Sequence, residues 1–136
     1  LLLRGNCITE LFGLEKLANL SHLDVSENQI ISLSQLTQCS NLTHLNGSKN
    51  RIEYIRQVEY VRDTPWLTEV LMAGNPCEEK EHYRLRVLYR LPRLLQLDGT
   101  EASSEDKVYY ICASLLPSLP VLYAHYYYCT CVLVFR

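Results

Sequence analysis

Asn6, Asn28 and Asn50 recur every 22 residues, each inside the same frame of apolar positions. A chain with that period folds as stacked coils, because one coil so short cannot bury its apolar face alone. The first frame reads Leu1, Leu3, Asn6, Ile8, Leu11, Leu14 and Leu17. The second reads Leu20, Leu23, Val25, Asn28, Ile30, Leu33, Leu36 and Cys39, and the third Leu42, Leu45, Gly47, Asn50, Ile52, Ile55, Val58 and Val61. A fourth follows at an interval of 25: Leu67, Val70, Met72, Asn75 and Cys77.

Spacing inside a unit assigns its local structure. The part before each Asn, L-x-x-L-x-L, alternates at period two, as a short strand with one buried face does. After the Asn the spacing widens to about three, the period of a short helix or 3-10 segment. Asn suits the corner between them, since its amide can bond free backbone groups of the turn and of the neighbouring coil. Stacked corners would form an amide ladder. The expected fold is therefore an α/β solenoid, with a short parallel sheet on the concave face, helical or 3-10 turns on the convex face, and a helical cap at the C-terminal end.

Three stretches are expected: repeats over 1–77 with the first one truncated, a cap over 78–114, and a hydrophobic tail over 115–136. Leu1 matches Leu23 and Leu45, so the chain starts inside a strand with no initiator Met and no polar cap, which reads as a fragment of a longer protein. Residues 78–90 form an amphipathic helix in this reading, with Glu78 and Glu79 at its start, Arg90 at its end and Pro92 stopping it. Leu94 and Leu97 make a last strand that ends at Asp98-Gly99, and Ser103 or Ser104 caps a final helix running to about Ser114. Gly47 stands where the frame expects Leu or Val, which predicts a local gap in the core.

A net charge of −2 over 136 residues gives no reason to expect nucleic acid or a membrane as partner. Cys39 and Cys77 take apolar frame positions, and no cysteine shows the spacing of an extracellular cap, so the thiols read as reduced and intracellular. Cys129 and Cys131 have only His125 nearby, too few donors for a tetrahedral metal site. Leu1-Leu2-Leu3 already fits the repeat and is too short for a signal peptide. The tail has three readings: a membrane span, weakened by Pro117, Pro120 and its tyrosines; a segment docked on the cap; and a non-native extension, the one favoured because nothing shields so apolar a terminus.

The repeated L-x-x-L-x-L-x-x-N-x-I-x-x-L resembles the SDS22-like class of leucine-rich repeat proteins over residues 1 to about 108. The cap adds Asn75-Pro76-Cys77, Tyr83-Arg84, Leu91-Pro92-Arg93-Leu94 and Leu97-Asp98-Gly99, which is similar to phosphatase-regulatory, splicing and axonemal members. The run from Tyr83 to Glu105-Asp106-Lys107-Val108 resembles the repeat domain that precedes a guanylate-kinase-like domain in a ciliary and sperm family; the likeness stops after Val108. The resemblance implies an intracellular protein, cytoplasmic and with a possible tie to the cilium or cytoskeleton.

In such a solenoid the residues flanking the framed leucines face the concave side. They are Leu2 and Arg4; His22, Asp24 and Ser26; His44, Asn46 and Ser48; Glu69, Leu71 and Ala73; Gln96, Asp98 and Thr100. His22 should lie beside His44, and Asp24 beside Asn46. The strip is polar with an apolar step at Leu71, suited to a peptide or helix of a protein partner, and the plain alternative is a solvated sheet face. A His-His-Asp metal or catalytic site is rejected because an open sheet neither excludes water nor orients a group. Trp66 should pack under the bulge made by the longer fourth repeat, or else anchor a partner. Arg84, Arg86, Arg90 and Arg93, offset by Glu78, Glu79 and Glu81, read as a solvated helix face.

No nucleophile elbow, phosphate-cradling loop or metal constellation is present, so no catalytic, cofactor or metal residue is assigned. The expectation is a monomeric, non-catalytic adaptor or scaffold. Its rivals are a regulatory segment of a larger enzyme and a fragment that aggregates.

Overall fold

Five short strands share one sheet in chain order: β1 (His22–Asp24), β2 (His44–Asn46), β3 (Glu69–Leu71), β4 (Gln96–Leu97) and β5 (Thr100–Glu101). The computed structural model describes residues 1–103 and Asp106. β1 to β4 pair in parallel with His22, His44, Glu69 and Gln96 in one row, and Leu2 adds an isolated parallel bridge to Asp24. The convex side carries 3-10 turns at Leu14–Lys16, Ser34–Gln38, Ile55–Val61 and Pro76–Glu79, followed by one α-helix, α1 (Tyr83–Arg90). The frame residues between these layers form one continuous core: Leu23, Val25, Ile30, Leu33, Leu36, Leu42, Leu45, Ile52, Val58, Val70 and Met72 are all buried. Cys39 and Cys77 are buried among them, and burial pushes the Cys77 thiol up to about 11. Leu3, Ile8 and Leu20 are partly buried against this core, while Leu1 and Leu17 stand exposed, at 46% and 43%.

The amide ladder forms from Asn28, Asn50 and Asn75. Asn50 Oδ1 accepts the Ile30 N–H at 2.9 Å, while its Nδ2 donates to the carbonyls of Val25, Gly47 and Ser48. Asn28 binds the Ile8 N–H and the carbonyls of Leu3, Val25 and Ser26 in the same way, and Asn75 the Ile52 N–H and the carbonyls of Gly47 and Met72. Each amide thus ties its own turn to the preceding coil. Asn6 stands outside the ladder: it is exposed and donates only to Leu3 and Arg4 in its own turn. The residue before each corner Asn has positive φ, at Gly5, Glu27, Lys49 and Gly74. At the two non-glycine positions this costs about 1 kcal/mol each, tolerated because the corner bonds hold the turn.

Three local expectations are corrected. The helix expected over 78–90 is split, because Pro76–Glu79 is a 3-10 turn, Lys80 is extended and His82 has φ +55°. The corner takes Glu78 for itself, whose carboxylate accepts the Gly74 N–H, and buries Cys77 into the repeat core. β4 ends at Asp98-Gly99 as expected but is not the last strand: the chain turns there into an antiparallel hairpin with β5, both residues having positive φ, as a tight Asp-Gly hairpin turn requires. Gly47 leaves no gap: Met72 fills the space, and a Cβ on Gly47 would lie 3.3 Å from its sulfur.

α1 packs against Ile55–Val61, with Val87 and Leu88 fully buried. Asp106 is helical and its N–H donates to Ser103 Oγ at 3.1 Å, an N-cap bond. The rest of the expected last helix, the tail over 115–136, Cys112, and the Cys129, Cys131 and His125 group lie outside the described residues.

Candidate functional site

Parallel in-register pairing places equivalent residues of successive coils about 4.8 Å apart, so any side chain repeated on the concave face meets its copy. His22 and His44 do this. Their rings stack with centroids 4.2 Å apart and planes 11° from parallel. The Nδ1 atoms turn to the hydroxyls of Ser21 and Thr43, at 3.0 and 2.8 Å, which fixes both rings edge-out from the sheet. His44 Nε2 lies 3.5 Å from the Glu69 carboxylate on the next strand. The neighbouring row runs Leu2, Asp24, Asn46 and Leu71, and the two rows together line a shallow hollow of about 180 Å³.

The expected concave residues therefore divide in two. His22, His44, Glu69 and Leu71 meet in the hollow with side chains open to solvent. Asp24, Ser26, Asn46 and Ser48 are engaged in the turns. Asp24 Oδ1 accepts the Ser26 N–H at 2.9 Å and the Ser26 hydroxyl at 2.6 Å, and Asn46 Oδ1 accepts the same pair from Ser48. Ser26 is buried, at 3% exposure, because it sits inside that turn and not on the face. Gln96 lies in the row of the histidines on β4 but not in the hollow.

Asp98 does not face outward either. Its Oδ1 accepts the N–H groups of Met72 and Ala73, and its Oδ2 the hydroxyl of Tyr83, at 2.9 Å. Burial, reinforced by the Asp98 charge, holds the Tyr83 hydroxyl well above its ordinary value. Asp98, at the register position of Asp24, Asn46 and Leu71, thus ties the last turn to the backbone of the preceding coil and to α1.

Sequence reasoning did not assign the groups that brace the rim. Glu27 accepts from Arg4 at 2.9 Å and Lys49 at 3.0 Å, and these bonds, Arg4 first, hold its carboxyl down at about 2. The 22-residue repeat of the position before Asn was the available signal. On the cap, Arg84 and Arg90 are not a solvated face: Arg84 donates to Leu97 O, Glu101 O and Asp106, and Arg90 pairs with Glu59 at 2.8 Å. Trp66 does not pack under the bulge; 63% of it is exposed.

No helix among the described residues is long and apolar enough to cross a membrane. No group of three or more His, Cys, Asp or Glu among them is placed to hold a metal ion.

No protein-family model matches the chain. It is 36% identical over 101 residues to leucine-rich repeat-containing protein 23 of Xenopus tropicalis, covering 74% of this chain and 29% of the relative. It is also 36% identical over 108 residues to dynein axonemal assembly factor 11 of Trypanosoma brucei brucei, covering 79% of this chain and 28% of the relative. The chain thus spans less than a third of these relatives' length. A chain in the crystal structure of the Drosophila melanogaster SNF/U2A′ complex superposes with a TM-score of 0.58 at 21% identity, covering 76% of this chain and 74% of that one. The repeat frame, the stacked coils and these likenesses agree: the chain is a leucine-rich repeat protein.

Proposed function

We propose that the chain is a non-catalytic module that binds another protein through its concave sheet, taking a helix or an extended peptide. The observation that carries this reading is the open row of stacked His22 and His44 with Glu69, flanked by Leu71 of the adjacent row. These side chains are held in place by the fold yet not consumed by it. A face whose neighbouring polar groups are all locked into turns has already lost much of its side-chain freedom, so less entropy is lost on binding. The two relatives are named for leucine-rich repeats and for axonemal dynein assembly, and the structural neighbour is described as part of a complex. These names support a protein-interaction role with a tie to the cilium. In the same proposal the chain is intracellular, SDS22-like and monomeric, with no nucleic acid as partner.

The test compares capture from ciliated-cell extract by the wild type, by Glu69→Lys combined with Leu71→Asp, and by Arg51→Glu on the exposed convex side. Asp24 is left alone because it holds the Ser26 turn. The concave double variant is expected to lower recovery of specific partners roughly tenfold or more, with Arg51→Glu unchanged. Equal recovery with all three proteins discards the reading.

A further inference from the structure

The longer fourth repeat leaves a feature that the concave reading does not use. The fourth coil enters its strand, β3, through Pro65-Trp66-Leu67-Thr68 and the next coil enters β4 through Pro92-Arg93-Leu94-Leu95, two segments that the β3–β4 register brings side by side. In the third coil the position of Trp66 is held by Asn41, whose amide donates to Ala18 O of the preceding coil at 2.7 Å. Trp66 makes no such bond among the described residues and is 63% exposed, with Leu95 at 58% on the same edge.

Next to this edge lies a hollow of about 430 Å³ between residues 61–64 and 91–94. Val61, Leu67, Leu91 and Leu94 lie buried beneath it, so the surface it shows to solvent is mainly polar. Arg62, Asp63 and Arg93 stand exposed around it. Arg4, Arg84 and Arg90 all bond to protein groups, but the side chains of Arg62, Arg93 and Asp63 bond to none among the described residues. Two guanidinium groups against one carboxylate leave the mouth with excess positive charge.

We propose that this edge is a second docking site, which takes a short acidic peptide carrying one aromatic or aliphatic anchor. The anchor covers Trp66 and Leu95 on the edge, while the peptide's carboxylates reach the mainly polar hollow and meet Arg62 and Arg93, whose planar donors suit bidentate pairing. Trp and Arg are the residues most often dominant at interface centres. The two prolines fix the backbone beside them, so little order has to be gained on binding. The site lies away from the concave row and stands or falls independently of it.

The experiment pans the full chain against a random-peptide display library and measures the enriched peptides with a fluorescent label. Trp66, the single tryptophan, supplies a built-in reporter. Enriched peptides are expected to be acidic with an apolar anchor, to shift Trp66 emission to the blue, and to bind more weakly as salt rises. Trp66→Ala and the pair Arg62→Glu with Arg93→Glu, all at exposed positions that leave the core intact, should each weaken binding roughly tenfold or more. The inference is overturned if no peptide is enriched, if enriched peptides lack acidic residues, or if these variants bind them like the wild type. Peptides sensitive only to Glu69→Lys with Leu71→Asp would overturn it too, while supporting the concave site.

Discussion

Replacing Asn50 by Ala removes one rung of the ladder, and the structure says how much that costs. Three of its four bonds leave acceptors that keep another donor: Val25 O retains the Asn28 amide at 3.0 Å, Gly47 O the Asn75 amide at 2.9 Å, and Ser48 O the Glu27 N–H at 3.0 Å. The fourth leaves the Ile30 N–H, whose only acceptor is Asn50, buried without a partner. An orphaned buried donor costs about 1–3 kcal/mol, and the three redundant bonds add on the order of 1 kcal/mol together. The expected loss is therefore about 3 kcal/mol, more than a hundredfold in the folding equilibrium. Asn6→Ala is the internal control: same residue type, same frame position, but exposed and bonded only locally, so its cost stays under about 0.5 kcal/mol. Urea unfolding followed by far-UV circular dichroism measures both, and hydrogen exchange at the Ile30 amide reports the broken rung directly. If Asn50→Ala is no more costly than Asn6→Ala, or the Ile30 amide stays protected, the ladder does not hold the coils together.

Two further outcomes follow from packing and charge. Gly47→Val restores the frame residue but drives its branch into the Met72 sulfur, 3.3 Å from the new Cβ, and should cost about 1–3 kcal/mol. Combined with Met72→Ala it should recover much of that loss, so a double-mutant cycle with no coupling in thermal melts would show that the two side chains do not share one space. The Glu27 carboxyl, bonded by Arg4 and then Lys49, sits at about 2 in place of 4.5. Its folded value is depressed, so its contribution is present above about 4.5 and lost as the pH falls towards about 2. A carbon-detected NMR titration should find a midpoint near the lower figure, whereas a midpoint at 4.5 would mean the pairs with Arg4 and Lys49 do not form in solution.

Much of this molecule could be read before any coordinates. The repeat frame named the core residues as far as Cys77, because burial in a stacked coil depends on position within the repeat. The exposed Leu1 and Leu17 both belong to the first coil, which has no described coil beyond it. The Asp98-Gly99 pair carries a local hairpin signal, since it favours two successive positive φ values, but only the pairing with β5 shows that a further strand follows β4. The break between Glu79 and Tyr83 had no such signal. The stretch is amphipathic throughout, and it breaks because the fourth corner claims Glu78 and Cys77 for the repeat core.

By itself the sequence determined the period, the strand-then-turn alternation and the amide at each corner, since these depend on short-range spacing and on one residue's bonding capacity. Only the tertiary structure decided which polar groups of the concave face are free. Asp24 and Asn46 look as available as His22 and His44 along the chain, yet the first pair is spent on serine turns and the second is stacked and open. It also decided that Trp66 stands in solvent beside Arg93. The physical reasons differ: the bonds of Asp24 and Asn46 are local but need the turn's backbone path, whereas the His22–His44 stack and the Trp66–Arg93 proximity join residues more than twenty apart, which no pattern within one repeat encodes.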